Sequence, residues 1–108
     1  MFDNKTIVTT FVDALGRGET ECLKTLMTDD IAVACTGTPA FSAAICAAAA
    51  LLKAATADGI VFTALNLTPE EDRVASETRA RSILHRGAHT YSRYDFLSFL
   101  RGGRIFLI

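Results

Sequence analysis

The chain has 108 residues, half of them hydrophobic, with 11 Lys and Arg against 12 Asp and Glu for a formal charge of −1. That length holds one core and not two, and the apolar content excludes a disordered chain, so residues 1–108 read as a single domain. Balanced charge with no basic stripe argues against nucleic acid, because duplex binding needs clustered Lys and Arg to neutralise phosphates.

Cys22, Cys35 and Cys46 are odd in number, scattered, and show no C-x-x-C spacing. They read as reduced thiols of a cytoplasmic protein rather than a disulfide frame or a metal site. Met1 to Lys5 lacks the basic start of a signal peptide. The longest apolar run, Ala43 to Leu52, is too short and too rich in alanine to span a bilayer. A soluble protein with no membrane partner and no cofactor is expected.

In chain order, Asp3 can cap a helix in which Ile7, Val8, Phe11, Val12 and Leu15 recur on one face. Gly16-Arg17-Gly18 stops it, since glycine accepts the left-handed residue of a helix end. A second, short helix starts at Glu19 or Thr20 and turns Leu23, Leu26 and Met27 inward. Asp29-Asp30 are expected to form a turn. A short strand then alternates Ile31, Val33 and Cys35 with Ala32, Ala34 and Thr36. After a loop at Gly37-Thr38-Pro39, Ser42 can cap a third helix from about Ala43 to Ala57, nine of whose residues are alanine. Small side chains let a helix lie close to a sheet, with Ile45, Leu51 and Leu52 expected as its anchors. Ile60 to Leu67 reads as a strand, and Thr68 to Asp72 as an exposed acidic turn.

From Val74 to Ile108 the chain reads as an antiparallel meander, broken at Arg86-Gly87 and at Arg101-Gly102-Gly103-Arg104. Glu77, Arg79 and Arg81 share one face of the first strand by period-2 alternation. His89, Tyr91, Arg93 and Asp95 share a face of the next, continued by Leu97 and Phe99. A hairpin loop of Arg86-Gly87-Ala88 sets Asp95 opposite Arg79 and makes one polar wall. A loop of Arg86-Gly87 alone sets Asp95 opposite Thr78 and sends the two sets to opposite sides. Sequence leaves both registers open.

This order of elements, with FVDALGRGETECLKTLMTDDIAV near the start and YDFLSFLRGGRI near the end, resembles the nuclear transport factor 2-like superfamily, in particular its SnoaL-like polyketide cyclase and ketosteroid isomerase branch. The resemblance implies an α+β cone: a curved, mostly antiparallel sheet wrapped around three helices from the N-terminal half, with an apolar pocket at the open end. It also implies a homodimer through the outer face of the sheet, and it favours the register that pairs Asp95 with Arg79.

Carried over residue by residue, the resemblance puts Asp95 at the oxyanion-hole carboxyl of the isomerases, a group that its apolar site keeps neutral in that family. Their helix Tyr falls on Phe11, which has no hydroxyl, and their proton-shuttling Asp falls on Cys35. Arg79 is similar to the Arg of related epoxide hydrolases, although Arg81 stands where their neighbouring Asp would be. Two readings of Asp95 follow. Among Leu97, Phe99 and Phe11 it would be desolvated and able to act as an acid; beside Arg79 or Arg93 it would stay ionised in an ion pair. Asp95 and Arg79 are thus the candidate catalytic pair, with Phe11, Cys35, Phe62, Tyr91, Leu97 and Phe99 lining the pocket. Function remains open between an isomerase, cyclase or hydrolase of a small hydrophobic molecule, a module that binds such a molecule without turnover, and a dimeric scaffold.

Overall fold

The computed structural model, which describes residues 3–33, 38–39, 42–85 and 87–108, begins on the expected cap. The Asp3 carboxylate accepts the Thr6 backbone N–H at 2.8 Å and opens α1, Asn4–Arg17. That backbone hydrogen bond, helped by the Thr6 side chain, holds the Asp3 carboxyl below its ordinary value. Ile7, Val8, Phe11 and Val12 are buried along one face, as their spacing predicts, and left-handed Gly18 closes the helix with its N–H on the Ala14 and Leu15 carbonyls. The short α2, Thr20–Leu26, buries Leu23.

The expected turn at Asp29-Asp30 does not form. The extended chain starts directly at Met27, and β1 runs Met27–Val33 with both aspartates exposed along it. Its physical reason lies at the far end of the chain. β6, Arg104–Leu107, lies parallel to β1, with Met27 opposite Ile105 and Ala32 opposite Leu107, and Met27, Ile31 and Ile105 are fully buried together. A two-residue β2, Thr38–Pro39, pairs with the end of β1 where a loop is expected.

α3 spans Ser42–Ala55, and β3, Thr56–Glu70, follows without a loop. Helix and strand meet at Thr56, whose buried hydroxyl donates to the Leu52 carbonyl at 2.9 Å. The inward stripe of α3 is Ile45, Cys46 and Ala49, whereas Leu51 and Leu52 are exposed rather than anchoring. At a rotation of 100° per residue, Leu51 falls well away from the Cys46–Ala49 stripe. The acidic turn is shorter than expected: β3 continues through Pro69 and Glu70, and β4, Arg73–Leu84, begins three residues on.

Among the described residues, β5, His89–Arg101, completes a six-stranded sheet in the order β2-β1-β6-β5-β4-β3, in which β1 and β6 are parallel and the other neighbours antiparallel. The sheet is curved and unclosed, ending on β2 and β3, and the three helices lie against one side of it. Register shifts in β3 after Thr56 and after Ala64 supply bends of the kind that curve a sheet. The expected α+β architecture of a mostly antiparallel sheet around three helices is the observed one.

The β4–β5 register differs from both expected alternatives. Leu84 donates to the Ala88 carbonyl and Ile83 stands opposite His89, so Asp95 stands opposite Glu77 while Arg79 stands opposite Arg93. Parity matches the polar-wall alternative, but the pairing is displaced by two residues.

Candidate functional site

Burial alternates cleanly along β4, and that decides which face is which. Val74, Ser76, Thr78 and Ala80 are buried beneath the helices, while Arg73, Ala75, Glu77, Arg79 and Arg81 point the other way. Through the observed register, Ser92, Tyr94, Phe96, Ser98 and Leu100 of β5 and Phe62 of β3 share the inner, helix-side face.

The helices cover that inner face unevenly. Val74, Ser98 and Leu100 are sealed into the core, but Tyr94, on the same side of the sheet, is 45% exposed. Around it stand two more rings, Phe62 at 6.4 Å and a stacked Phe96 at 5.8 Å between centroids. Thr78, directly opposite Tyr94, is 0% exposed, and Ser76, opposite Phe96, is 4% exposed. Their hydroxyl oxygens have no hydrogen-bond partner among the described residues. A buried hydroxyl left unpaired costs about 1–3 kcal/mol, so two of them beside an open aromatic wall call for a partner. Such a wall offers stacking area, and the hydroxyls offer neutral donors and acceptors; no charged side chain shares the row.

The residues expected to form the site are divided between the two faces. Phe62 belongs to the aromatic wall, and Phe11 is buried in the core under α1. Cys35 lies outside the described residues. Asp95, Arg79, Tyr91, Leu97 and Phe99 all fall on the outer face. Asp95 is exposed there, among neither Phe11 nor the core, and its cross-strand neighbour is Glu77, so both expected environments for its carboxyl are corrected. Arg93 reaches Glu77 instead, at 3.8 Å, and the Asn66 amide donates to Glu77 at 2.9 Å. Phe99 packs with Phe106 and lies under the Arg73 guanidinium.

The error has a physical cause. On β4 the inner row is mostly small (Ser76, Thr78, Ala80), and on β5 both faces carry large residues, Tyr94, Phe96 and Leu100 inward and Tyr91, Leu97 and Phe99 outward, so the alternation of apolar and polar residues does not name the inner face. Ser76, Thr78 and Tyr94 therefore read in the sequence as packing residues. Their one legible signal is composition: Ser, Thr, Ala and Ser at period 2 from 76 to 82 leave room for packed helices. Two shallow grooves, both lined largely from the outer face, lie at opposite ends of the long strands. One is bordered by Val61, Arg81, Ile83, His89 and Tyr91, with a volume of about 460 Å³, the other by Asn66, Glu77, Asp95 and Leu97. Among the described residues no group of His, Cys, Asp or Glu could hold a metal ion.

Solved structures place this architecture. IdmH of Streptomyces antibioticus, a candidate polyketide cyclase, superposes with a TM-score of 0.84 at 21% identity, over 98% of this chain and 88% of its own. The Δ5-3-ketosteroid isomerase of a Mycobacterium species gives 0.78 at 18% identity, over 95% and 87% of the two chains. Rv0760c of Mycobacterium tuberculosis, solved with estradiol-17β-hemisuccinate, gives 0.79 at 18% identity, over 95% and 88%. The fold is thus the nuclear transport factor 2-like, ketosteroid isomerase-like α+β fold. No protein-family model and no curated protein matches the chain.

Proposed function

We propose that this chain binds a small, flat, largely apolar molecule bearing a neutral oxygen function, on the inner face of its sheet. The body of the ligand stacks on Phe62, Tyr94 and Phe96, and on binding the side chains that cover Ser76 and Thr78 move aside, so that its oxygen exchanges hydrogen bonds with hydroxyls that are closed off in the empty protein. The observation that carries this reading is the pair of buried, unpartnered hydroxyls next to an aromatic ring left 45% exposed on the covered side of the sheet. Solved structures of the same fold support the ligand class: one is a ketosteroid isomerase, another was solved with a steroid ester, and a third is a candidate polyketide cyclase.

Binding without turnover is favoured over catalysis. Phe11 has no hydroxyl where the isomerases carry a tyrosine, and Asp95 stands on the other side of the sheet from the aromatic wall. A general acid has to come within hydrogen-bond reach of the group it protonates, and a carboxylate on the outer face does not.

Two further elements complete the reading. The outer face is the surface of a homodimer, supported by Val61, Ile83, Tyr91 and Leu97 lying exposed on it. The compartment is the cytoplasm, in keeping with Cys22 and Cys46 as free thiols; among the described residues no helix is long and apolar enough to cross a membrane.

The test is thermal unfolding of the full chain against a panel of neutral steroids and polycyclic phenols or ketones. A ligand that raises the melting temperature in proportion to its logarithmic concentration, and does so less in Tyr94→Ala, supports the proposal. A panel that shifts wild type and Tyr94→Ala equally, or shifts neither, refutes it.

A further inference from the structure

The outer face of β4 and β5 carries an arrangement that a lone sheet has no use for. Arg79 stands directly opposite Arg93, and in the adjacent same-face row Glu77 stands directly opposite Asp95. Like charges in direct cross-strand positions are destabilising. The chain compensates in part by the diagonal contact of Arg93 with Glu77 at 3.8 Å. Arg79 gains nothing from it: among the described residues it has no acidic partner, and its Nε–H is buried without an acceptor. Beyond the cationic row lies Tyr91, 59% exposed, and beyond the acidic row lies Leu97, 45% exposed.

We propose that these two rows are the centre of an isologous dimer, packed sheet on sheet, whose two-fold axis lies in the interface between them and crosses the strands at right angles. This rests on the homodimer reading given above and specifies its geometry. A face-to-face pair has its two-fold axis in the plane of the interface, so two principal choices exist. An axis along the strands lays each row on its own copy and sets Arg79 against the partner's Arg93. An axis across the strands, between the rows, reverses the order of rows on the facing sheet. Arg79 then meets the partner's Glu77, and Arg93 meets the partner's Asp95.

The same operation lays Tyr91 over the partner's Leu97, so the flanking apolar residues match as well. Each contact occurs twice, as a two-fold requires. Stacked sheets lie about 10 Å apart and cross at about 30°, so register holds best next to the axis, where the charges are, and relaxes towards the apolar ends. Arg side chains span that gap, and the partner's Glu77 supplies the acidic partner that the Arg79 guanidinium lacks.

Sedimentation velocity of the full chain at about 0.1 M and about 0.5 M NaCl tests this, because the central contacts are partly screened at the higher salt. Wild type should be a dimer, weaker at high salt. Arg79→Glu should raise the dimer dissociation constant at least about tenfold, and Arg79→Glu with Glu77→Arg should return it to within about threefold of wild type. Asp95→Arg, rescued by Arg93→Asp, gives a second pair should the first fold poorly. A dimer indifferent to Arg79→Glu, or a swap that restores nothing, overturns the axis while leaving the homodimer. A wild-type chain that stays monomeric overturns both. A monomer whose melting temperature rises with inorganic phosphate also overturns the axis, since a small anion then answers the arginines.

Discussion

Replacing Thr78 by valine separates the stability of the empty protein from its capacity to bind. Valine keeps the shape of threonine and removes only the hydroxyl, at a side chain that is 0% exposed. Because that hydroxyl has no partner among the described residues, Thr78→Val relieves an unpaired buried polar group instead of breaking a hydrogen bond. Relief of that kind contributes up to about 1–3 kcal/mol, and we expect about 1 kcal/mol after the loss of any weak solvation. For a domain of this size 1 kcal/mol corresponds to a rise of about 4 °C in melting temperature. The same substitution removes one ligand hydrogen bond, which lowers affinity by about tenfold. Thermal unfolding of wild type and variant, each with and without a stabilising polycyclic ligand, reads both effects in one experiment. A variant that melts about 4 °C higher when empty yet gains less from ligand is the expected outcome. An empty variant destabilised by 1 kcal/mol or more would refute the reasoning, because Thr78 would then already have a partner.

Three other outcomes are expected. A Cβ at Gly16 would overlap the Ile60 carbonyl oxygen and stand 2.7 Å from the Phe62 ring. Gly16→Ala therefore forces α1 off β3 and should lose about 1–3 kcal/mol in urea denaturation, outweighing the gain of about 1 kcal/mol in helix propensity; a stabilised variant would mean that α1 does not dock there. Asp3 has its folded pKa lowered below 3.8, chiefly by the Thr6 N–H. Its contribution is therefore present above the unfolded value and lost as pH falls through the folded one. Asp3→Ala should melt below wild type at about pH 6 and converge with it at about pH 2, whereas a constant gap would point to something other than the charged cap. Asp95→Asn, on the outer face, should leave the ligand-induced rise in melting temperature unchanged; its loss would return Asp95 to the binding site.

Elements with a strong local cause were legible in the sequence. Asp3, the Ile7–Val8–Phe11–Val12 stripe and Gly18 specify α1 within a few residues of one another, and glycines mark the two late hairpins. What stayed hidden depends on distant partners. Nothing near Asp29 announces that β6 will lie alongside and keep Met27 to Val33 extended. The break between Leu84 and Ala88 falls where it is expected, yet the register it sets, with Ile83 opposite His89, is not encoded in the identity of the breakers alone.

For the candidate site, the resemblance led to Asp95 through matched spacing in YDFLSFLRGGRI, but spacing along a strand does not say which face looks inward. That assignment comes from the helices, which pack on Val74, Ser98 and Leu100 and thereby turn Asp95 out and Tyr94 in. Small hydroxyl-bearing residues under a helix layer give no hydrophobic signal at all. Phe62 stands beside Tyr94, and its place on a strand is legible in any register because aromatics favour strands.

The chain has two tyrosines and no tryptophan, and the tyrosines lie on opposite faces of the sheet: Tyr94 within the aromatic wall, Tyr91 on the outer face. Ring-proton NMR during titration with estradiol therefore reports directly on where a flat ligand sits. The account predicts that the Tyr94 ring resonances shift, by ring current from the stacked ligand, while those of Tyr91 stay in place. Shifts confined to Tyr91 would put the ligand on the outer face and contradict it.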